Sequence, residues 1–227
     1  MTTSQVHFDF HPYKLSGTVY GTLLNHREAL EALGNGVELA PYKGPPKAPV
    51  LYMKPRNTLS THGHNINLPA GALAFQIGAS LGLVIGRTAC HVPLQTAIDY
   101  VAGYVVVADL SVPHENFYRP SLRFKAIDGS CVIGSGVVST ATVKNPDALA
   151  VRVFVDGEHV HSTATSGMVR TALQLVTDVT EFMTLAAGDV LLLGVAQNAP
   201  LVRVGQRIAV EIENVGRLEA QVGEEQS

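Results

Sequence analysis

Short apolar runs separated by Gly, Pro, Asn and Asp recur along the chain, with little of the sustained 3.6-residue periodicity that long helices impose. Gly17-Thr18-Val19-Tyr20-Gly21-Thr22-Leu23-Leu24 has the β-branched enrichment of a strand. Further strands are expected at 50–53, 73–77, 81–85, 101–108, 136–143, 151–155, 190–193, 208–213 and 218–222. Residues 26–33 predict a short helix ended by Gly34-Asn35-Gly36, followed by a proline-rich loop, Pro41 to Lys47, that cannot continue it. The best helix starts at the N-cap candidates Thr165-Ser166, carries Val169, Ala172, Leu173, Val176, Val179 and Met183 on one face, and stops before Gly188. That stripe should pack on a sheet. The pattern predicts a mostly β protein with peripheral helices (α+β), as one domain over 17–227 behind a polar arm over 1–16.

Composition narrows the function classes. The chain has 227 residues, 46% hydrophobic and 15% charged, which is enough for one substantial core and too apolar for a disordered polymer. Its 16 Lys+Arg against 19 Asp+Glu give a net charge of −3, without the basic surplus that nucleic-acid binding rewards. Two cysteines, Cys90 and Cys131, lie outside any zinc-site spacing and fit a reducing cytoplasm. Mean hydropathy is +0.19, yet no apolar run approaches the about 18 residues of a membrane span, and MTTSQVHFDF is not a secretion signal. A cytoplasmic protein with no membrane and no nucleic-acid partner is the expectation.

The polar stretch 111–130 interrupts the apolar pattern, and candidate chemistry gathers there. Asp109 closes the run Gly103-Tyr104-Val105-Val106-Val107-Ala108-Asp109, where a carboxylate serves a turn or, if buried, requires a partner or an ion. Arg119, Arg123 and Lys125 follow, with Asp128-Gly129. Such a cationic loop suits a di- or tricarboxylate ligand, or else a solvated face with a Lys125–Asp128 ion pair. His62-x-His64 and His159-x-His161 are each half of a possible zinc site, with no third ligand placed. His26 and Glu28 could form a proton-transfer pair if the proline-rich loop folds over a cleft. P-loop, Gly-x-Gly-x-x-Gly and His-Glu-x-x-His signatures are absent.

Five blocks occur together in order: Tyr52-Met53-Lys54-Pro55-Arg56-Asn57-Thr58; Leu83-Val84-Ile85-Gly86-Arg87; Tyr100-Val101-Ala102-Gly103-Tyr104; Phe117-Tyr118-Arg119-Pro120 with Arg123-Phe124-Lys125 and Asp128-Gly129; and Glu181-Phe182-Met183-Thr184-Leu185 with Gly188-Asp189. Over roughly 17–222 the chain resembles the fumarylacetoacetate hydrolase family. The run Tyr42-Lys43-Gly44-Pro45-Pro46-Lys47 and the Phe117–Pro120 block are most similar to its isomerase/decarboxylase branch of 4-hydroxyphenylacetate (homoprotocatechuate) degradation, especially to the N-terminal half of tandem-duplicated members.

The resemblance implies a mixed β-roll with peripheral helices, a homodimer or a heteromer with a homologous subunit, and Mg²⁺ or Mn²⁺ chelating a 2-oxo acid and its enolate. It makes Asp109 the third of three metal carboxylates, whereas the family's Glu-x-Glu positions fall at Gly78 and Ser80. A weak or absent metal is therefore expected in this chain. Lys125 is implied as a catalytic and substrate-binding residue, Arg119 and Tyr118 as substrate contacts, and Gly194-Val195-Ala196-Gln197 replaces the family's Gly-Thr-Pro turn. The implied activity is isomerisation or decarboxylation of 5-oxopent-3-ene-1,2,5-tricarboxylate or 2-hydroxyhepta-2,4-dienedioate through an enolate, with His26 and Glu28 as candidate proton carriers. The alternative is a non-catalytic partner of a homologous catalytic chain.

Overall fold

The computed structural model describes residues 9–10, 13–16, 18–40, 43–114 and 122–224. Among them the chain forms, in order, β1 (Asp9–Phe10), β2 (Tyr13–Lys14), β3 (Val19–Leu23), α1 (Arg27–Glu31), β4 (Val50–Lys54), β5 (Leu59–Thr61), β6 (Asn65–Leu68), β7 (Phe75–Ile85) and β8 (Val101–Ser111). Then come α2 (Leu122–Lys125), β9 (Cys131–Ile133), β10 (Val138–Ser139), β11 (Ala150–Val155), β12 (Glu158–Ala164), α3 (Ala172–Thr180), β13 (Val190–Leu192), β14 (Leu201–Val202), β15 (Arg207–Ile212) and β16 (Gly216–Glu224). None of the described helices is long and apolar enough to cross a membrane.

The centre is the antiparallel pair β7–β8, eleven residues each, with Gly78 opposite Asp109. Both faces are buried, which is why the two strands read as near-continuous apolar runs. Ile77, Ala79, Leu81, Leu83 and Ile85 face a large core shared with α3 and with the sheet β12-β11-β15-β16-β6. Val84, Val105 and Val107 face a smaller core with Val19, Val190, Leu192, Cys131 and Ile133. That second core lies inside a mixed sheet ordered β4-β3-β13-β7-β8-β9-β5. In this order three strands separate β4 from β8, yet side chains of β4 touch Asp109, so the sheet curls into a roll.

The expected mostly β roll with peripheral helices is what forms, with differences that have local causes. The strands expected at 73–77 and 81–85 are one strand. Its small residues mark close packing rather than a turn: a Cβ at Gly82 would lie 2.8 Å from Val105 and 2.9 Å from Val190. Of the run 136–143 only β10 pairs, reaching β8 at Gly103, where a Cβ would come within 2.3 Å of the Val138 carbonyl. β5, β6, β9 and β12 were not expected, because their segments are polar or short. The arm is partly tied down: Leu15 is buried and the Ser16 hydroxyl donates to Asp189 at 2.6 Å.

The long helix starts six residues later than expected and ends earlier. The Thr165 hydroxyl is engaged by the Leu149 amide at 2.9 Å, so Thr165 opens only a 3₁₀ turn. Thr171 is the N-cap, accepting from the Gln174 amide. At the other end the Thr180 carbonyl and hydroxyl accept from the amides of His91 and Val92. Leu175, Val176 and Val179 are fully buried against the sheet. Leu175→Ala is expected to cost about 2–5 kcal/mol and Thr171→Ala about 1 kcal/mol, read as lower denaturant midpoints at constant slope.

Candidate active site

A cavity of about 390 Å³ opens where the roll meets α1 and α2. Its floor is built by residues of one strand face each: Gln76 and Gly78 of β7, Asp109 and Ser111 of β8, and Tyr52 of β4. Lys125, the last residue of α2, and His114 close one side. Ala29, Ala32 and Leu33 around α1 and the loop 195–198 form the walls.

Asp109 is the electrostatic centre. Its Oδ1 ion-pairs with Lys54 Nζ at 2.8 Å, and its Oδ2 accepts from the Tyr52 hydroxyl and lies 3.5 Å from Lys125 Nζ. The side chains of Asp109 and Lys54 have no solvent exposure, whereas that of Lys125 keeps 12%. Burial raises the Asp109 pKa, but Lys125 and Lys54, with hydrogen bonds from Lys54 and Tyr52, outweigh it and hold the carboxyl at about 2. Burial first, then Asp109, push the Tyr52 phenol well above its ordinary value. Lys54 also donates to the Lys125 carbonyl at 2.6 Å and to the Ser130 hydroxyl at 3.0 Å, so it anchors the end of α2. Two lysines face one carboxylate, and Lys125 is the cation of the two that lines the cavity.

Of the residues singled out in the sequence, Asp109 and Lys125 meet at this cavity. Arg119 and Tyr118 lie outside the described residues. Arg123 is exposed, and Asp128 accepts from Asn57 rather than pairing with Lys125. His26 and Glu28 line a separate groove with His161 and Thr163, and His26 Nε2 is 3.2 Å from the Thr163 hydroxyl. Burial lowers the His26 pKa, more than nearby Glu28 raises it. The structure does not bring this pair to Lys125. The proline-rich loop is no lid among the described residues: the Lys47 carbonyl is held by Arg170 at 2.9 Å, and residues 43–47 do not line the cavity.

The two His-x-His segments do not converge. His62 accepts from the Glu219 amide, His64 bonds Thr61 and His159 bonds Ser162. Among the described residues, no three His, Cys, Asp or Glu side chains are grouped to hold a metal. Gly78-Ala79-Ser80-Leu81-Gly82 has the Gly-x-Ser-x-Gly spacing of a nucleophile elbow but is extended within β7. Ser80 is 1% exposed and accepts from the Gly194 amide at 3.2 Å. Burial drives the Cys131 thiol up to about 12, so neither residue is a nucleophile.

Tyr52 and Lys54 were given no role from the sequence. They sit two apart on β4 and so share a face. The readable signal is a lysine two residues after an aromatic in a strand, which when buried needs a carboxylate, and Asp109 supplies it.

A family model described as fumarylacetoacetate (FAA) hydrolase C-terminal matches residues 18–223. The chain belongs to the fumarylacetoacetate hydrolase family. The 4-hydroxyphenylacetate degradation bifunctional isomerase/decarboxylase of Escherichia coli is 37% identical over 211 residues, covering 93% of this chain and 48% of that protein. The chain thus spans about half the length of such relatives. The crystal structure of a 5-carboxymethyl-2-hydroxymuconate delta-isomerase from Mycobacterium smegmatis superposes with a TM-score of 0.77 at 25% identity, covering 94% of this chain and 81% of that one. A fumarylpyruvate hydrolase from Pseudomonas aeruginosa, in complex with Mn²⁺ and pyruvate, shares the fold at TM-score 0.82 and 23% identity over 97% and 96% of the two chains.

The metal implied by the fumarylacetoacetate hydrolase family is not matched by the donors present. Asp109 is the one carboxylate among the described cavity-lining residues; its Oδ2 accepts from Tyr52, and its Oδ1 has no aligned hydrogen bond but faces the Lys54 ammonium at 2.8 Å, a cation where a metal would have to sit. At Gly78 a Cβ would come within 2.5 Å of the Asp109 carbonyl oxygen, so a glutamate there does not fit this backbone. Ser80 is turned to Gly194. A hard dication needs several oxygen donors and more than one anionic one to replace its hydration shell.

Asp109→Asn leaves Lys54 buried without a counter-charge and is expected to cost about 3–5 kcal/mol. Because the folded-state pKa of Asp109 is depressed, its contribution is present above the ordinary carboxylate range and lost as pH falls through about 2. The stability gap between wild type and Asp109→Asn should therefore be full above pH about 4 and close toward the acid limit in denaturant titrations.

Proposed function

We propose that this chain is an isomerase-type member of the family that binds a small di- or tricarboxylate in 4-hydroxyphenylacetate catabolism and interconverts its enol and keto forms. The observation that carries this reading is the surplus cation: Lys54 answers Asp109 inside the wall, and Lys125 is left to present N–H donors to the cavity. A 2-hydroxydienoate such as 2-hydroxyhepta-2,4-dienedioate has carboxylates and a developing enolate, both suited to an ammonium in a site with little water. The names of the Escherichia coli relative and the Mycobacterium smegmatis structure agree with that substrate class.

The chemistry asked of the protein is one proton removed from the enol oxygen and one returned to carbon. Lys125 holds the dienolate between the two transfers. Our candidate for the proton carrier is His114, a histidine among the described cavity-lining residues; its Nδ1 is 2.9 Å from the Val112 carbonyl and its ring stacks on Phe124. Decarboxylation of the tricarboxylate would draw on the same enolate.

Gly78 and Ser80 favour a second reading, a non-catalytic subunit that supports a homologous chain bearing the missing carboxylates. One assay separates them. Ultraviolet turnover of 2-hydroxyhepta-2,4-dienedioate by the purified chain is expected to proceed equally in EDTA and in excess Mg²⁺. Lys125→Ala should lower kcat/KM at least about 100-fold, the loss of an oxyanion contact. Absence of turnover in both conditions, restored by a homologous subunit, overturns the enzyme reading in favour of the partner.

A further inference from the structure

We infer that Tyr52 is a positioning residue that converts Asp109 from a metal ligand into a fixed counter-ion and so keeps Lys125 available to an anion, making ligand binding independent of a dication. The inference rests on the anion-binding role given to Lys125 above and adds what holds that lysine ready.

Three cationic or donor groups converge on a carboxylate with two oxygens. Oδ1 is taken by Lys54 at 2.8 Å. Oδ2 accepts from the Tyr52 hydroxyl, which leaves Lys125 at 3.5 Å, beyond a good charge-assisted contact. The Tyr52 ring lies beneath the same ammonium, with Lys125 Nζ 4.4 Å from its centroid. Tyr52 therefore supports Lys125 through its face and competes with it through its hydroxyl.

The phenol is held in place by its neighbour. Gly21 sits opposite Tyr52 in the β3–β4 register, and a Cβ at Gly21 would lie 2.0 Å from the ring carbon bearing the hydroxyl. A glycine is required for the ring to lie flat across β3 and reach Asp109. The same hydroxyl stands where a dication would have to approach Oδ2, and Lys54 bars Oδ1. The site accordingly selects an anionic oxygen directly.

Malonate, a non-reactive dicarboxylate, is the probe, titrated calorimetrically into the intact chain in EDTA and again with Mn²⁺. Wild type is expected to bind it with the same affinity in both, and the electron paramagnetic resonance spectrum of Mn²⁺ is expected to remain that of the free ion. Tyr52→Phe keeps the ring and removes the hydroxyl, so Asp109 recaptures Lys125. Malonate affinity should then fall about tenfold in a chain that circular dichroism shows to be folded, and Lys125→Met should lose it by at least as much. Malonate binding by wild type that requires Mn²⁺, or undiminished binding by a folded Tyr52→Phe, overturns the inference. The wild-type comparison needs no variant, so a Tyr52→Phe chain that failed to fold would leave it decisive. Failure of the isomerase reading appears separately, as malonate binding without turnover of the dienedioate.

Discussion

A carboxylate removed from water has to be answered by charge and hydrogen bonds, and Asp109 is answered from across the roll. Lys54 and Tyr52 belong to β4 at the edge of the sheet, with three strands between it and β8 in pairing order. They reach Asp109 only because the sheet curls. Breaking the cluster from either side strands a buried charge, which is far costlier than losing a surface ion pair. The seam that closes the roll and the floor of the cavity are therefore the same few side chains.

Much of the architecture was legible because both faces of β7 and β8 are buried, and such strands announce themselves as apolar runs. The half-buried strands β11, β15 and β16 were legible for the opposite reason, an alternation that matches one covered face. What escaped was written in residues whose role depends on a distant neighbour. The stretch Gly78-Ala79-Ser80 reads as a break between strands until the Asp109 carbonyl and Val195 are seen closing on Gly78, as Val105 and Val190 close on Gly82. Thr165 has the chemistry of a helix cap, but Leu149 claims its hydroxyl.

The site divides along the same line. Asp109 and Lys125 stand out locally as charges in or beside an apolar run, and they do converge. His26 and Glu28 were linked by proximity in sequence, yet at the start of α1 they line a groove with β12 while Ala29 and Ala32 face the cavity. Tyr52 and Lys54 carry only the weak local signal of a lysine two residues after an aromatic within a strand. Their part follows from burial: a lysine at 1% exposure implies a carboxylate, and the fold decides which.

Successive side chains of a strand point to opposite faces, so β4 delivers Tyr52 and Lys54 inward and Met53 outward, the last 54% exposed. A shift of one residue in the pairing of β4 with β3 would exchange these faces. It would put a methionine against Asp109 and two polar heads in solvent, losing the closure of the roll and the cationic floor in a single step. Loops around the cavity can vary in length while its walls are rebuilt, whereas the five residues of β4 are a ruler that admits no insertion.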